Sequence, residues 1–140
     1  TPFEMRYNVA LPGQFGFELD LNKCTDEEIE TARKAAAEYK ELRKVFHRGT
    51  CYRLRSPFTT DFSVLEFVSE DKNTVILCVY SKLPTVLAVD EYVKLYGLDA
   101  NTTYNLNGKV YGGDYLMNKG YKLCNNVEYA SKILVFTKTK

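Results

Sequence analysis

Apolar and polar positions change their rhythm near residue 49. Before it, Ile29, Ala32, Ala36, Tyr39, Leu42 and Phe46 recur at helical spacing and make one apolar stripe. Thr25 and Glu28 open this helix with a capping-box spacing. Asp26, Glu27, Glu28 and Glu30 crowd its first turns, and Arg43, Lys44 and Arg48 its last, as the helix dipole favours. Gly49 is expected to supply a left-handed stop. Upstream, Met5 to Leu11 is read as a strand broken by Pro12-Gly13, and Phe15 to Leu21 as a buried strand feeding the helix.

Beyond Gly49 the period shortens. Cys51–Arg55, Phe62–Ser69, Val75–Ser81, Tyr92–Tyr96, Thr102–Leu106 and Ser131–Thr137 are rich in β-branched and aromatic residues. Turn-forming clusters separate them at Ser56-Pro57, at Glu70 to Asn73, at Gly97 to Asn101, at Asn107-Gly108 and at Asn125-Asn126. Phe62 to Ser69 and Val75 to Ser81 read as one hairpin, and Asp114 to Lys119 as a short helical turn. One strand–helix unit cannot bury both its faces, so it reads as the last piece of a larger α/β architecture with a β domain attached. The expected fold is mainly β: an antiparallel β-sandwich over residues 49–140, preceded by that unit over residues 1–48.

Composition narrows the function. Nineteen basic and eighteen acidic residues leave a formal charge of +1, with no long basic run to neutralise phosphates, so no nucleic-acid partner is expected. The longest apolar runs, such as Val75 to Tyr80, are strand-sized and no membrane partner is expected. The chain starts at Thr1 rather than Met, which suggests a processed or excised piece. Cys24, Cys51, Cys78 and Cys124 are scattered; two disulfides are conceivable, but reduced structural thiols and a cytoplasmic location are the preferred reading.

Sugar hydrolysis normally needs two carboxyl groups across the scissile bond. Asp20, Asp61, Asp71, Asp90, Asp99 and Asp114 are available, but no spacing sets two of them across a sugar. Asp20 lies at the expected end of a strand, where barrels carry chemistry, yet neutralising a lysine or capping the loop is the preferred role. His47 is the only histidine, and Gly112-Gly113 lacks the rest of a phosphate-loop or dinucleotide motif. Asn101-Thr102-Thr103 is a glycosylation acceptor only if the chain is secreted. Catalytic residues, substrate-binding residues, metal ligands and cofactors are therefore all assigned as none. Eleven tyrosines raise a carbohydrate-binding alternative, although tryptophan, the usual stacking platform, is absent.

The order of several short motifs carries a resemblance. They are Phe15-Gly16-Phe17-Glu18-Leu19-Asp20-Leu21, Tyr39-Lys40 with Arg43, Gly49, Tyr52-Arg53-Leu54, Ser56-Pro57 and Val68-Ser69-Glu70-Asp71. Leu95-Tyr96-Gly97-Leu98-Asp99 with Tyr104, then Tyr111-Gly112 through Leu116-Met117 to Gly120, continue it. Together they resemble the C-terminal part of the microbial-type α-galactosidases of glycoside hydrolase family thirty-six, along nearly the whole chain. The resemblance implies a (β/α) barrel with a retaining two-aspartate mechanism, of which residues 1–48 are the last strand and helix, followed by an antiparallel sandwich over residues 49–140. The family's nucleophile lies in a Lys-Trp-Asp-type motif, and this chain has no Trp. Its acid/base aspartate and its Cys-Ser-Gly-Gly motif also have no counterpart. The expectation is a non-catalytic C-terminal domain that packs on the upstream barrel, with a homo-oligomer as a further option.

Overall fold

In the computed structural model, residues 2–18, 20–82, 91–124 and 128–139 are described. Helix α1 (Phe3–Ala10) precedes a 3-10 turn (Leu21–Lys23) and helix α2 (Asp26–Arg48). Strands β1 (Thr50–Arg55), β2 (Phe62–Val68), β3 (Thr74–Ser81), β4 (Glu91–Val93), β5 (Thr103–Leu106) and β6 (Lys109–Gly112) follow. A short helix α3 (Gly113–Asn118), then β7 (Tyr121–Leu123) and β8 (Ser131–Lys138), complete the order.

The strands make a six-stranded antiparallel sheet in the order β1-β2-β3-β8-β5-β6 and a two-stranded ribbon of β4 and β7. Strand β3 lies inside the large sheet and is apolar along both its phases, as a strand covered on both faces must be. One face carries Val64, Val68, Val75, Leu77, Val79 and Phe136, packed under the ribbon and α3 through Val93, Leu95, Leu116 and Leu123. The opposite face carries Phe67, Ile76, Cys78 and Tyr80, covered by Leu42 and Phe46 of α2 and by Leu11 after α1. Phe46 meets Phe67 edge-on with ring centroids 5.1 Å apart. Sheet and ribbon form the antiparallel sandwich, and the helices add a third layer.

Polar groups pin that layer. Asn8 is buried; its carbonyl accepts from the Tyr80 hydroxyl at 2.9 Å, and its amide donates to Ser131 Oγ at 2.9 Å. Removing either partner would leave a buried polar group without its bond.

The expected helix over Thr25–Arg48 is present with its full capping box. Glu28 N–H donates to Thr25 Oγ1 at 3.2 Å, and Thr25 N–H donates to Glu28 Oε2 at 2.9 Å. The Phe62/Val75 hairpin, β1, β5, β8 and the short helix also lie where expected, within a residue or two. Asn107 and Gly108, both at positive φ, make the tight turn between β5 and β6.

Four expectations need correction. Met5 to Leu11 is mostly helix rather than strand: Pro2 stands at its N-cap, where a fixed φ and a missing N–H cost nothing. The described residues of Phe15 to Leu21 contain no strand, because no strand among the described residues lies beside them to complete a ladder. Gly49 is not left-handed, having φ −73°. It is glycine because a Cβ there would lie 2.5 Å from the Val45 carbonyl oxygen and 2.6 Å from that of Val68. Strand β4 covers only the start of Tyr92–Tyr96, and β6 and β7 were not foreseen. The Asn125-Asn126 turn lies outside the described residues.

The intact capping box generates a stability prediction. Thr25→Ala should lower unfolding free energy by about 1 kcal/mol, measured from the denaturant midpoint at constant m. An unchanged midpoint would show that α2 does not depend on this cap.

Candidate functional site

Four of the carboxylates considered above, those of Asp20, Asp71, Asp99 and Asp114, hold local turns. Asp20 caps the 3-10 turn, accepting from Asn22 N–H at 3.2 Å, and pairs with Lys23 at 3.4 Å. Asp71 accepts from Ser69 Oγ at 2.6 Å and from Asn73 N–H at 3.0 Å, which holds its carboxyl below the usual range. Asp99 accepts from Asn101 N–H at 3.0 Å and from Lys138 Nζ at 3.1 Å, with the same consequence. Asp114 accepts from Tyr115 N–H at 2.8 Å in the first turn of α3. The backbone carbonyl of Asp61 accepts from Lys82 N–H at 3.0 Å, and Asp90 lies outside the described residues.

His47 Nε2 sits 3.0 Å from the Tyr39 hydroxyl on the exposed side of α2. Gly112-Gly113 is a packing element: a Cβ on Gly113 would lie 2.0 Å from the Asp99 carbonyl oxygen. Asn101 lies in an exposed turn. Among the described residues no three His, Cys, Asp or Glu side chains converge as a metal site, and no helix is long and apolar enough to cross a membrane. All four cysteines are free thiols; burial pushes that of Cys78 up to about 12.

Two surfaces carry aromatic side chains beside open cavities. The first surrounds the unpaired segment before α2. Phe15 packs edge-on to Phe17 at 4.9 Å and against Tyr39 at 5.3 Å, and Phe17 stacks on Phe3 at 6.0 Å. A cavity of about 510 Å³ opens among Phe3, Tyr7, Phe15 and Phe17, and Leu21, further along the chain, is 62% exposed. Phe58, after Ser56-Pro57, is 95% exposed. A phenyl ring left in water forgoes roughly 2 kcal/mol or more of burial.

The second surface lies where the edge strand β1 faces β4 and the residues after it. The Tyr96 ring, 54% exposed, lies nearly parallel to that of Tyr52 at 6.0 Å. Gly97 takes φ +69°, and a Cβ there would sit 2.6 Å from the Tyr52 hydroxyl, so glycine admits the Tyr52 ring. Beneath, the Tyr96 N–H donates to both oxygens of Glu66, at 2.9 and 3.2 Å. Glu66 is wholly buried on the inward phase of β2 and was not singled out from sequence, although a charged residue at an apolar phase was the available signal.

Comparison with known proteins places these surfaces in context. The glycosyl hydrolase family 36 C-terminal domain matches residues 62–136, and the melibiase family matches residues 1–49. The chain is 40% identical over 119 residues to the α-galactosidase AgaA of Geobacillus stearothermophilus, covering 84% of this chain and 16% of that protein. It is 37% identical over 123 residues to the α-galactosidase Mel36A of Lactobacillus acidophilus, covering 86% of this chain and 17% of that protein. The crystal structure of an AgaA variant from Geobacillus stearothermophilus in complex with raffinose superposes with a TM-score of 0.92 at 33% identity, over 99% of this chain and 20% of that one. The chain thus spans no more than about a fifth of these relatives' lengths.

Glu66 sets a pH dependence. Burial drives its carboxyl from 4.5 up to about 8, against the opposing pull of the Tyr96 hydrogen bond. In the unfolded chain it loses its proton near 4.5, whereas in the fold it keeps the proton up to about 8. Its contribution to stability is therefore full below the unfolded value and is lost as pH rises through that window, by at most about 1.4 kcal/mol per pH unit. Melting temperature followed between those pH values should fall more steeply in the parent than in Glu66→Gln. Identical slopes would show that Glu66 is ionised in the fold.

Proposed function

The chain belongs to glycosyl hydrolase family 36, and from that premise we propose that it is the non-catalytic C-terminal part of an α-galactosidase acting on α-galactosides such as melibiose or raffinose. Residues 1–48 supply the last strand and helix of the catalytic barrel, and residues 49–140 form the sandwich that packs on it and stabilises it. The carboxylates that protonate and attack the glycosidic bond lie on the barrel outside this chain.

One observation carries this reading. The segment around Phe15 and Phe17 has the apolar content of a buried strand and no strand beside it among the described residues. A parallel barrel strand takes its partners from both sides, so a neighbouring barrel strand would satisfy its backbone and cover its rings. Phe58 offers a second contact on the same account, and an uncovered ring of this kind favours association with the barrel or with further copies of the chain. The four free thiols support a reducing, cytoplasmic setting.

Two measurements test the proposal together. The purified chain should release no nitrophenol from nitrophenyl α-galactoside. Co-expressed with a family α-galactosidase cut before the matching segment, it should co-purify with the truncated barrel and restore turnover, and Phe17→Asp should abolish both. Turnover by the chain alone, or a Phe17→Asp chain that still restores activity, would contradict the reading.

A further inference from the structure

The groove between β1 and residues 91–97 lies on the sandwich, away from the segment that faces the barrel, and nothing in the proposed role uses it. It measures about 290 Å³ and is lined by Leu54, Arg55, Tyr92, Val93, Lys94 and Tyr96. We propose that it is an accessory sugar-binding site that takes a terminal galactopyranose, with the Tyr96 ring as its stacking platform.

The geometry is that of a supported platform rather than of a loose surface tyrosine. Tyr96 is held from below at its backbone by Glu66 and from the side by the Tyr52 ring, so little side-chain freedom remains to be lost on binding. Tyr92, on the groove wall, already has Lys119 Nζ 4.3 Å from its ring centroid, which leaves Tyr96 as the platform.

Polar groups stand around the ring as a sugar's hydroxyl rim requires. Arg55 Nη2 donates to the Tyr92 carbonyl at 3.2 Å, and its Nε pairs with Glu91 Oε1 at 3.5 Å. That buried Nε has no hydrogen-bond partner in the structure. The Arg55 guanidinium on the groove wall offers its remaining N–H groups to a ligand hydroxyl. The exposed Lys94 adds a donor at the mouth.

The choice of galactose rests on the α-galactosidase reading and on its stereochemistry. The axial 4-hydroxyl points away from one face of the ring, leaving carbons 3 to 6 as an apolar patch for an aromatic ring. Such a site anchors a galactoside polymer or oligosaccharide without cleaving it, since among the described residues no pair of carboxyl groups lines the groove.

The test is a nitrogen–proton NMR titration of the 140-residue chain with methyl α-galactoside, using methyl α-glucoside as the comparison sugar. The galactoside should give saturable shifts at Arg55, Lys94, Tyr96 and Gly97 with a Kd on the order of 1 mM. Tyr96→Ala should weaken it at least roughly tenfold, whereas Tyr96→Phe, which keeps the ring, and Tyr115→Ala, an exposed tyrosine elsewhere, should bind as the parent does. Absence of saturation, shifts that survive in Tyr96→Ala, or equal affinity for the glucoside would overturn the site. Because the readout is sugar on the chain alone, it can fail while barrel association stands, and the reverse.

Discussion

Everything in this molecule depends on a sheet whose central strands are apolar on both faces. Val75, Leu77 and Val79 point one way and Ile76, Cys78 and Tyr80 the other, and each set is buried. A sheet of this kind is stable only when both faces are covered. The ribbon of β4 and β7 with α3 covers the first, and α1 and α2 cover the second. The helical segment is thus a structural layer of this chain as well as the proposed end of a barrel. It is the element through which the sandwich would feel the barrel.

The two exposed surfaces follow from where that cover ends. The C-terminal half of α2 dries the sheet through Leu42 and Phe46, while its N-terminal half is mostly exposed or half-buried. There Phe3, Phe15 and Phe17 pack on each other and on Tyr7 and Tyr39. On the opposite layer, the short ribbon leaves the β1 edge uncovered beside Tyr96. Buried polar groups fix the loops nearby: the Tyr104 hydroxyl accepts from Asp99 N–H and donates to the Lys72 carbonyl, both at 3.0 Å. A rigid frame under a partly open surface is what binding requires, because ordering has already been completed on folding.

The legible elements in the sequence were those whose signals are local. Thr25 with Glu28, and the stripe ending at Phe46, marked α2 because caps and periodicity belong to the segment itself. The β2–β3 hairpin was legible because a polar turn separates two apolar runs. Phe15 to Leu21 was misread as a strand here because its apolar residues record burial, whereas a strand also needs neighbours, which no segment encodes alone. Strands β6 and β7 were missed because three or four residues carry no period. Tyr96 was one tyrosine among eleven until its stacking on Tyr52 and its bond to Glu66 set it apart. By contrast, Asp20, Asp71 and Asp99 hold the loop contacts that aspartates in turns usually hold.

Amide hydrogen exchange on the whole chain, read by mass spectrometry, tests the shared-core account most directly. If α2 is the necessary cover of the sheet, amides of residues 42–48 open only with those of β3 and show the same opening free energy. Residues 14–18 exchange far faster, having no ladder. An α2 that opens at least roughly 2 kcal/mol more easily than β3 would contradict the account, because the sheet would then stand without its helical layer.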